Sequence, residues 1–321
     1  MIRSGHGRVF LVKYGINGIG IWIEVFVNAA PEESVLVYDI GGSHVSAAKC
    51  SIDGLELSVI ERAPLVDAIT PELFVELLVR LGRAVAQDSA IAGVSFAVPG
   101  PFDCTAGISF MRHKLPALYG YDLRSALAAG LNCRPGAITF LSDAGAFLLG
   151  ELRRGAAQGA ARVVGITLGT GIGSAFARNN RWVTEGVSVP PGGDIWNLPY
   201  AEATVEDLLS TRALRKDYAS RTGKDMEVAA IAAAASTDEH AREVFHTFGV
   251  HLGQVFRAVL GPFAPDVVVI GGGISRSAHL FLPAAQEQLA GLQGFHLAPS
   301  SLLEKATLLG AGAYWADTAR G

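Results

Sequence analysis

From Val35 onward, the spacing of apolar residues alternates between the period of a strand and the period of a helix. Val35–Asp39, His44–Ser51 and Leu57–Ala63 read as three antiparallel strands, with Asp53-Gly54 as the hairpin turn between the last two. Pro71 opens a helix to about Gln87 that places Leu73, Leu77, Leu78, Leu81 and Val85 on one face. Ile91–Val98 is a buried strand ending in the stiff Pro99-Gly100-Pro101 turn. Leu123–Leu131 is a short helix, Ala137–Leu141 a strand, and a helix runs from Asp143 to about Arg154. Val163–Arg178 is strand, glycine turn and strand. Helices are then predicted over Glu202–Arg221, Val228–Ala235 and Glu239–Leu260. Asp266–Ile270 is a core strand, a helix starts near Ser277, and Leu308–Ala319 is a last apolar helix.

Two stretches repeat one layout. In Val163–Arg178, an apolar strand runs into Gly169-Thr170-Gly171-Ile172-Gly173 and a second apolar strand. In Val35–Ala48, the first strand ends at Asp39, and Gly41-Gly42-Ser43 leads into a strand of small residues. Glycine accepts positive φ, which lets successive N–H groups converge into an anion-binding nest. One such turn is as consistent with a plain tight hairpin. A pair, one in each half of the chain, points to a duplicated domain gripping one phosphate compound from both sides. The expected fold is α/β, two related lobes around a nucleotide cleft.

Residues 1–33 stand apart. Val9–Ala30 is rich in Ile, Val and Phe, but Lys13, Asn17 and Glu24 interrupt it, so a spanning helix is a poor fit. The segment reads either as an extra strand pair or as residues upstream of the true start, and the second is the expectation. The expected division is 34–140 for the first lobe and 141–305 for the second.

With 321 residues, half of them apolar and 17% charged, the chain can bury two ordinary cores. A net charge of −4 without a Lys/Arg cluster argues against a nucleic-acid surface. The three cysteines, Cys50, Cys104 and Cys133, lie far apart. That spacing indicates neither a disulfide framework nor a zinc knot, and a reducing cytoplasm is the expected location.

The chemistry rests on few side chains. Asp143 sits where a strand ends and a helix begins. That position suits an N-cap, and equally a general base that accepts a hydroxyl proton during phosphoryl transfer. Asp39 is placed either as a strand-end turn residue or to hold Mg²⁺ through water. Gly271-Gly272-Gly273, between strand and helix, suits either close packing or a nucleotide laid against the backbone. No Gly-Lys-Ser/Thr follows any of these turns, so none is a Walker loop. In residues 191–207, Asp194, Trp196, Asn197 and Glu206 are a plausible hydroxyl-reading set, or simply a polar surface loop.

Taken in order, Asp39-Ile-Gly-Gly42, Ser142-Asp143-Ala144 with Gly150-Glu151, Leu168-Gly-Thr-Gly-Ile-Gly173 and Val269-Ile-Gly-Gly-Gly273 resemble the ROK sugar kinases. These belong to the actin/hexokinase/Hsp70-like ATPase superfamily, and the resemblance spans roughly Val35 to Ala316. It implies two ribonuclease-H-like lobes with ATP and Mg²⁺ between them, and a last helix at 306–319 that returns to complete the first. It also implies Asp143 as catalytic base, Gly41, Gly42 and Ser43 as the first phosphate turn, and Gly169, Thr170 and Gly171 as the second. Gly272 and Gly273 fall in the nucleotide-binding turn, and Ser142, Asp143, Asp194, Asn197 and Glu206 read the sugar.

The chain also departs from the family. Ser142-Asp143 replaces Asn-Asp, Gly193-Asp194-Ile195-Trp196-Asn197 replaces Gly-Glu-x-Gly-His, and Lys114-Leu115 replaces Asn-Leu. The cysteine-rich zinc motif is missing, so ATP and Mg²⁺ without zinc are expected. The expected partners are a sugar and ATP in a homodimer, with neither nucleic acid nor membrane. The rival readings are a sugar-sensing regulator lacking a DNA-binding domain and a polyphosphate-using glucokinase.

Overall fold

The computed structural model describes residues 7–16, 19–28 and 33–320, apart from 54, 67–68, 88, 113–114 and 293. β1 (Gly7–Ile16) and β2 (Ile19–Asn28) pair antiparallel from Gly7↔Asn28 to Ile16↔Ile19, a two-stranded sheet of their own.

The first lobe contains β3 (Ser34–Ile40), β4 (His44–Ser51), β5 (Glu61–Pro64), α1 (Pro71–Ala86) and β6 (Ile91–Val98). The short β7 (Phe102–Asp103) and β8 (Ile108–Ser109) follow, then α2 (Leu123–Leu131) and β9 (Ile138–Ser142). Its sheet order is β5-β4-β3-β6-β9, with β3, β4 and β5 antiparallel and β6 and β9 parallel to β3. α3 (Asp143–Arg154) leads to the second lobe: β10 (Arg162–Leu168), β11 (Ile172–Arg178), β12 (Arg181–Val183), β13 (Pro199–Tyr200) and β14 (Ala203–Thr204). The helices α4 (Val205–Leu208), α5 (Thr211–Thr222), α6 (Val228–Ala234) and α7 (Glu239–Val255) precede β15 (Val267–Gly271). α8 (Ala278–Gln288), β16 (His296–Pro299) and α9 (Lys305–Arg320) complete the chain.

The second large sheet, β12-β11-β10-β15-β16, repeats the strand order and directions of the first. The duplication inferred from two hairpins therefore extends to whole sheets. α3 packs on β10 and β11, while α9 returns to pack on β3, β6 and β4, and the two helices cross each other. Gly150 and Gly310 allow that crossing, because a Cβ at either would run into the backbone of Ala306 or Ala146. Trp315 fixes the far end of α9 by donating its Nε1–H to Ala137 O at 3.1 Å. No helix among the described residues is long and apolar enough to cross a membrane.

Several boundaries differ from the sequence reading. In α1, Thr70 caps the N-terminus, but Leu73 is 54% exposed and Phe74 is buried in its place. Leu77, Leu78, Leu81 and Val85 are buried as expected, so the predicted stripe differs only at its first position. The expected strand over Leu57–Ala63 shrinks to a single bridge at Leu57 and the short β5, because Ser58 accepts the Lys49 N–H through its side chain. Gly54 of the expected hairpin turn lies outside the described residues. The helix expected over Glu202–Arg221 breaks at Leu209-Ser210, where Ser210 caps α5 by accepting Ala213 N–H. The one expected over Glu239–Leu260 relaxes into a π-helical turn at Phe256–Leu260.

Candidate active site

The β3–β4 turn closes through Gly41 N–H to His44 O, and the β10–β11 turn through Gly169 N–H to Gly171 O, each at 2.9 Å. Thr211 braces the second turn by donating both its N–H and its hydroxyl to Gly169 O, at 2.8 and 2.9 Å. Neither turn uses the left-handed region: Gly41, Gly42, Gly169, Gly171 and Gly173 all avoid it. Positive φ is therefore not why glycine stands here, contrary to the sequence reading.

Space separates the glycines into two groups. A Cβ on Gly41 would press to 3.1 Å on His44 O, one on Gly171 would strike the Glu206 carboxylate, and one on Gly173 would come 2.5 Å from Thr167 Oγ1. Gly272, at φ +83°, lies against the Leu168 backbone. Packing explains these four, joined at Gly272 by its positive φ. Around Gly42, Gly169 and Gly273 a Cβ would meet nothing within 4 Å. One such glycine lies on the β3–β4 turn, one on the β10–β11 turn and one after β15. Neither strain nor protein contact requires glycine there, so the space is available for a group from outside. Ser43 and Thr170 lie exposed beside Gly42 and Gly169, their hydroxyls on the same turns.

The N-terminus of α3 lies against the second turn, since Ala144 Cβ would be 3.2 Å from a Cβ on Gly173. Ser142, not Asp143, is the N-cap: its hydroxyl accepts Gly145 N–H at 3.0 Å. Asp143 is the first helical residue, its Oδ1 accepting Ala144 N–H at 2.8 Å. The charge of Asp143 acts on two other carboxyls here. Burial, and then the charge of Asp143, raise the pKa of Asp39 to about 7; Arg62 opposes the shift and Glu304 adds to it. The pKa of Asp194 is also raised, first by partial loss of water and second by Asp143. Asp143 thus sits within electrostatic reach of both.

The residues expected to read a sugar are only partly brought together. Asn197 and Trp196 are exposed on the loop after Asp194. Glu206 turns toward the second turn, its Oε2 accepting Ile172 N–H at 3.3 Å and its own N–H donating to Trp196 O at 3.0 Å. Lys114 lies outside the described residues. The sequence reading missed a cavity of about 340 Å³ beside Thr170, lined also by Thr211, Arg212, Arg215, Lys216 and Asp225. Most of its lining comes from α5, whose i, i+3, i+4 spacing on a polar helix face was the available signal.

No group of three or more His, Cys, Asp or Glu suited to a metal occurs among the described residues. Asp143 lies close enough for its charge to act on Asp39, and the two supply hard oxygen donors, which suits Mg²⁺, an ion that takes one or two carboxylates and completes its shell with phosphate oxygens and water.

Comparison with known proteins agrees with this architecture. The chain is 27% identical over 314 residues to a glucokinase of Thermotoga maritima, covering 88% of this chain and 96% of that one. Its fold superposes on the ROK hexokinase of Thermus thermophilus with a TM-score of 0.75 at 23% identity, covering 90% of this chain and 100% of the other. A ROK family glucokinase from Streptomyces griseus, solved with glucose and AMPPNP, gives 0.73 at 20% identity, covering 88% and 98%. Residues 35–318 match the ROK family model, both lobes and the two crossing helices included, and the chain belongs to the ROK family.

Proposed function

We propose that the protein is an ATP-dependent sugar kinase that transfers the γ-phosphoryl group of ATP to a hexose hydroxyl, glucose or a close relative being the acceptor. The observation that carries this reading is the set of open glycines, Gly42, Gly169 and Gly273, on the two turns and after β15, together with Asp39 and Asp143, which lie within electrostatic reach of each other. The glucokinase relative, and the S. griseus structure with glucose and AMPPNP, support the same substrates.

In this reading, N–H groups of the two turns and the Ser43 and Thr170 hydroxyls bind the phosphates, helped by the positive end of the α3 dipole. The adenosine lies against Gly272-Gly273 and in the cavity beside Thr170. Asp39 holds Mg²⁺ through water, and the ion, when bound, offsets phosphate charge. Asp194, Asn197 and Ser142 orient the sugar. Asp143 accepts the proton of the attacking hydroxyl, that oxygen bonds to the γ-phosphorus, and the bond to the ADP oxygen breaks in line. A cytoplasmic homodimer belongs to the same proposal, and light scattering of the purified protein checks the dimer.

The test is a coupled ADP-release screen over glucose, mannose, fructose, N-acetylmannosamine, N-acetylglucosamine and allose. One sugar should raise ADP release far above the sugar-free rate. Sugar binding with no ADP release would favour a sensor instead.

A further inference from the structure

A charge cluster at the same cleft is not used by the mechanism above. Register places Asp39 opposite Ser46 on β4, and Ser46 opposite Arg62 on β5. Residues directly opposite one another point to the same sheet face, so the three form a row. Val35 and Val37, four and two residues before Asp39, pack in the core that α9 covers, so this row lies on the α9 face. Glu304 stands just before α9 begins, and its carboxylate is shared: one oxygen takes the Arg62 guanidinium, the other that of Arg276. Arg276 lies three residues past the open Gly273, on the other lobe.

Two cations from opposite lobes therefore converge on one carboxylate beside the phosphate turns. All three side chains are between 45% and 63% exposed, a setting in which ion pairs contribute little to stability. A structural staple is a poor account of them. Charge balance gives a better one. Among the described residues whose charge acts on Asp39, Asp143 and Glu304 are carboxylates and Arg62 is the one cation. A polyphosphate entering this cleft meets negative charge on the protein, and no Walker lysine is present to offset it. Guanidinium groups bind the paired oxygens of a phosphate as they bind those of a carboxylate, and a phosphate carries more charge.

We propose that Arg62 and Arg276 are phosphate-contacting residues, one from each lobe, and that Glu304 is a positioning residue which holds them together until the nucleotide's phosphates take its place. Binding would then exchange a weak exposed carboxylate contact for a stronger one, and would draw both lobes onto the same ligand. The proposal rests on the kinase reading and specifies how that site recognises its donor.

The experiment measures MgATP and adenosine affinity by calorimetry for wild type, Arg62→Gln, Arg276→Gln, Arg62→Lys and Glu304→Gln, with thermal melts as a folding control. Each Arg→Gln change should weaken MgATP about tenfold or more, leave adenosine within about twofold, and flatten the salt dependence of MgATP binding. Arg62→Lys should recover part of the loss. Glu304→Gln should weaken MgATP less than either arginine change, because both cations remain. Should Arg62→Gln fail to fold, Arg62→Lys and the Arg276 variant on the other lobe decide the matter. Wild type that binds MgATP while every variant stays within about twofold overturns this proposal alone. Wild type that binds no MgATP overturns the kinase reading, and the proposal with it.

Discussion

Replacing Asp39 by asparagine should stabilise the nucleotide-free protein while abolishing its activity. Folded Asp39 titrates near 7 instead of 3.8, chiefly through burial and then through the Asp143 charge. A carboxyl whose pKa rises on folding binds more protons folded than unfolded, so its contribution is full below about 3.8 and is lost as pH rises through about 7. A rise of about three units, at 1.4 kcal/mol each, sets a ceiling of about 4 kcal/mol, and residual water at the partly buried group makes about 2–4 kcal/mol the working range. Asparagine keeps the shape without the charge. At pH 8, in EDTA, Asp39→Asn should melt about 4–8 °C above wild type, and at pH 4 the difference should vanish. Adding Mg²⁺ and ATP should raise the wild-type melting temperature and leave the variant nearly unchanged. The reasoning fails if the variant melts at or below wild type at pH 8. It fails equally if the gain is the same at both pH values, since a packing effect would not titrate.

Two further predictions separate groups of residues. Gly42→Ala and Gly169→Ala should melt like wild type yet bind nucleotide at least about tenfold more weakly, whereas Gly272→Ala, which strikes the Leu168 backbone at φ +83°, should be strongly destabilised; thermal melts paired with nucleotide calorimetry distinguish them. Asp194→Ala should cut kcat/KM for the sugar about 10²-fold with KM for ATP unchanged, while Glu206→Ala, through its bond to Ile172 N–H, should raise KM for ATP as well; steady-state kinetics in both substrates decides.

The duplicated hairpins were legible because strand-turn-strand is a local pattern, and their repetition carried the two-lobe fold. The start of α1 was legible from Pro71, and that of α3 to within one residue, although Ser142 and not the expected Asp143 caps it. Elements set by partners were not. β16 is a four-residue strand that exists by pairing with β15, and the face of α1 is set by what lies beneath it, which favours Phe74 over Leu73. At the two hairpin turns the glycine motifs gave the wrong reason for the residue, since free space and positive φ leave the same glycine in a sequence. Glu206 faces the second turn because α4 is positioned by its Thr204–Asp207 capping box, which sequence spacing alone did not aim. Arg62, Arg276 and Glu304 meet across more than two hundred residues, so no window of sequence could join them.

The central claim is that Asp143 takes a proton from a sugar hydroxyl as the phosphoryl group transfers. Sugar-dependent turnover of Asp143→Asn, measured beside its sugar affinity by calorimetry, tests this most directly. The account predicts a kcat lower by about 10²–10⁴-fold with sugar binding preserved, because asparagine keeps the shape at the start of α3 but cannot accept the proton. Turnover within a few-fold of wild type would contradict it and reduce Asp143 to the first residue of a helix that Ser142 already caps.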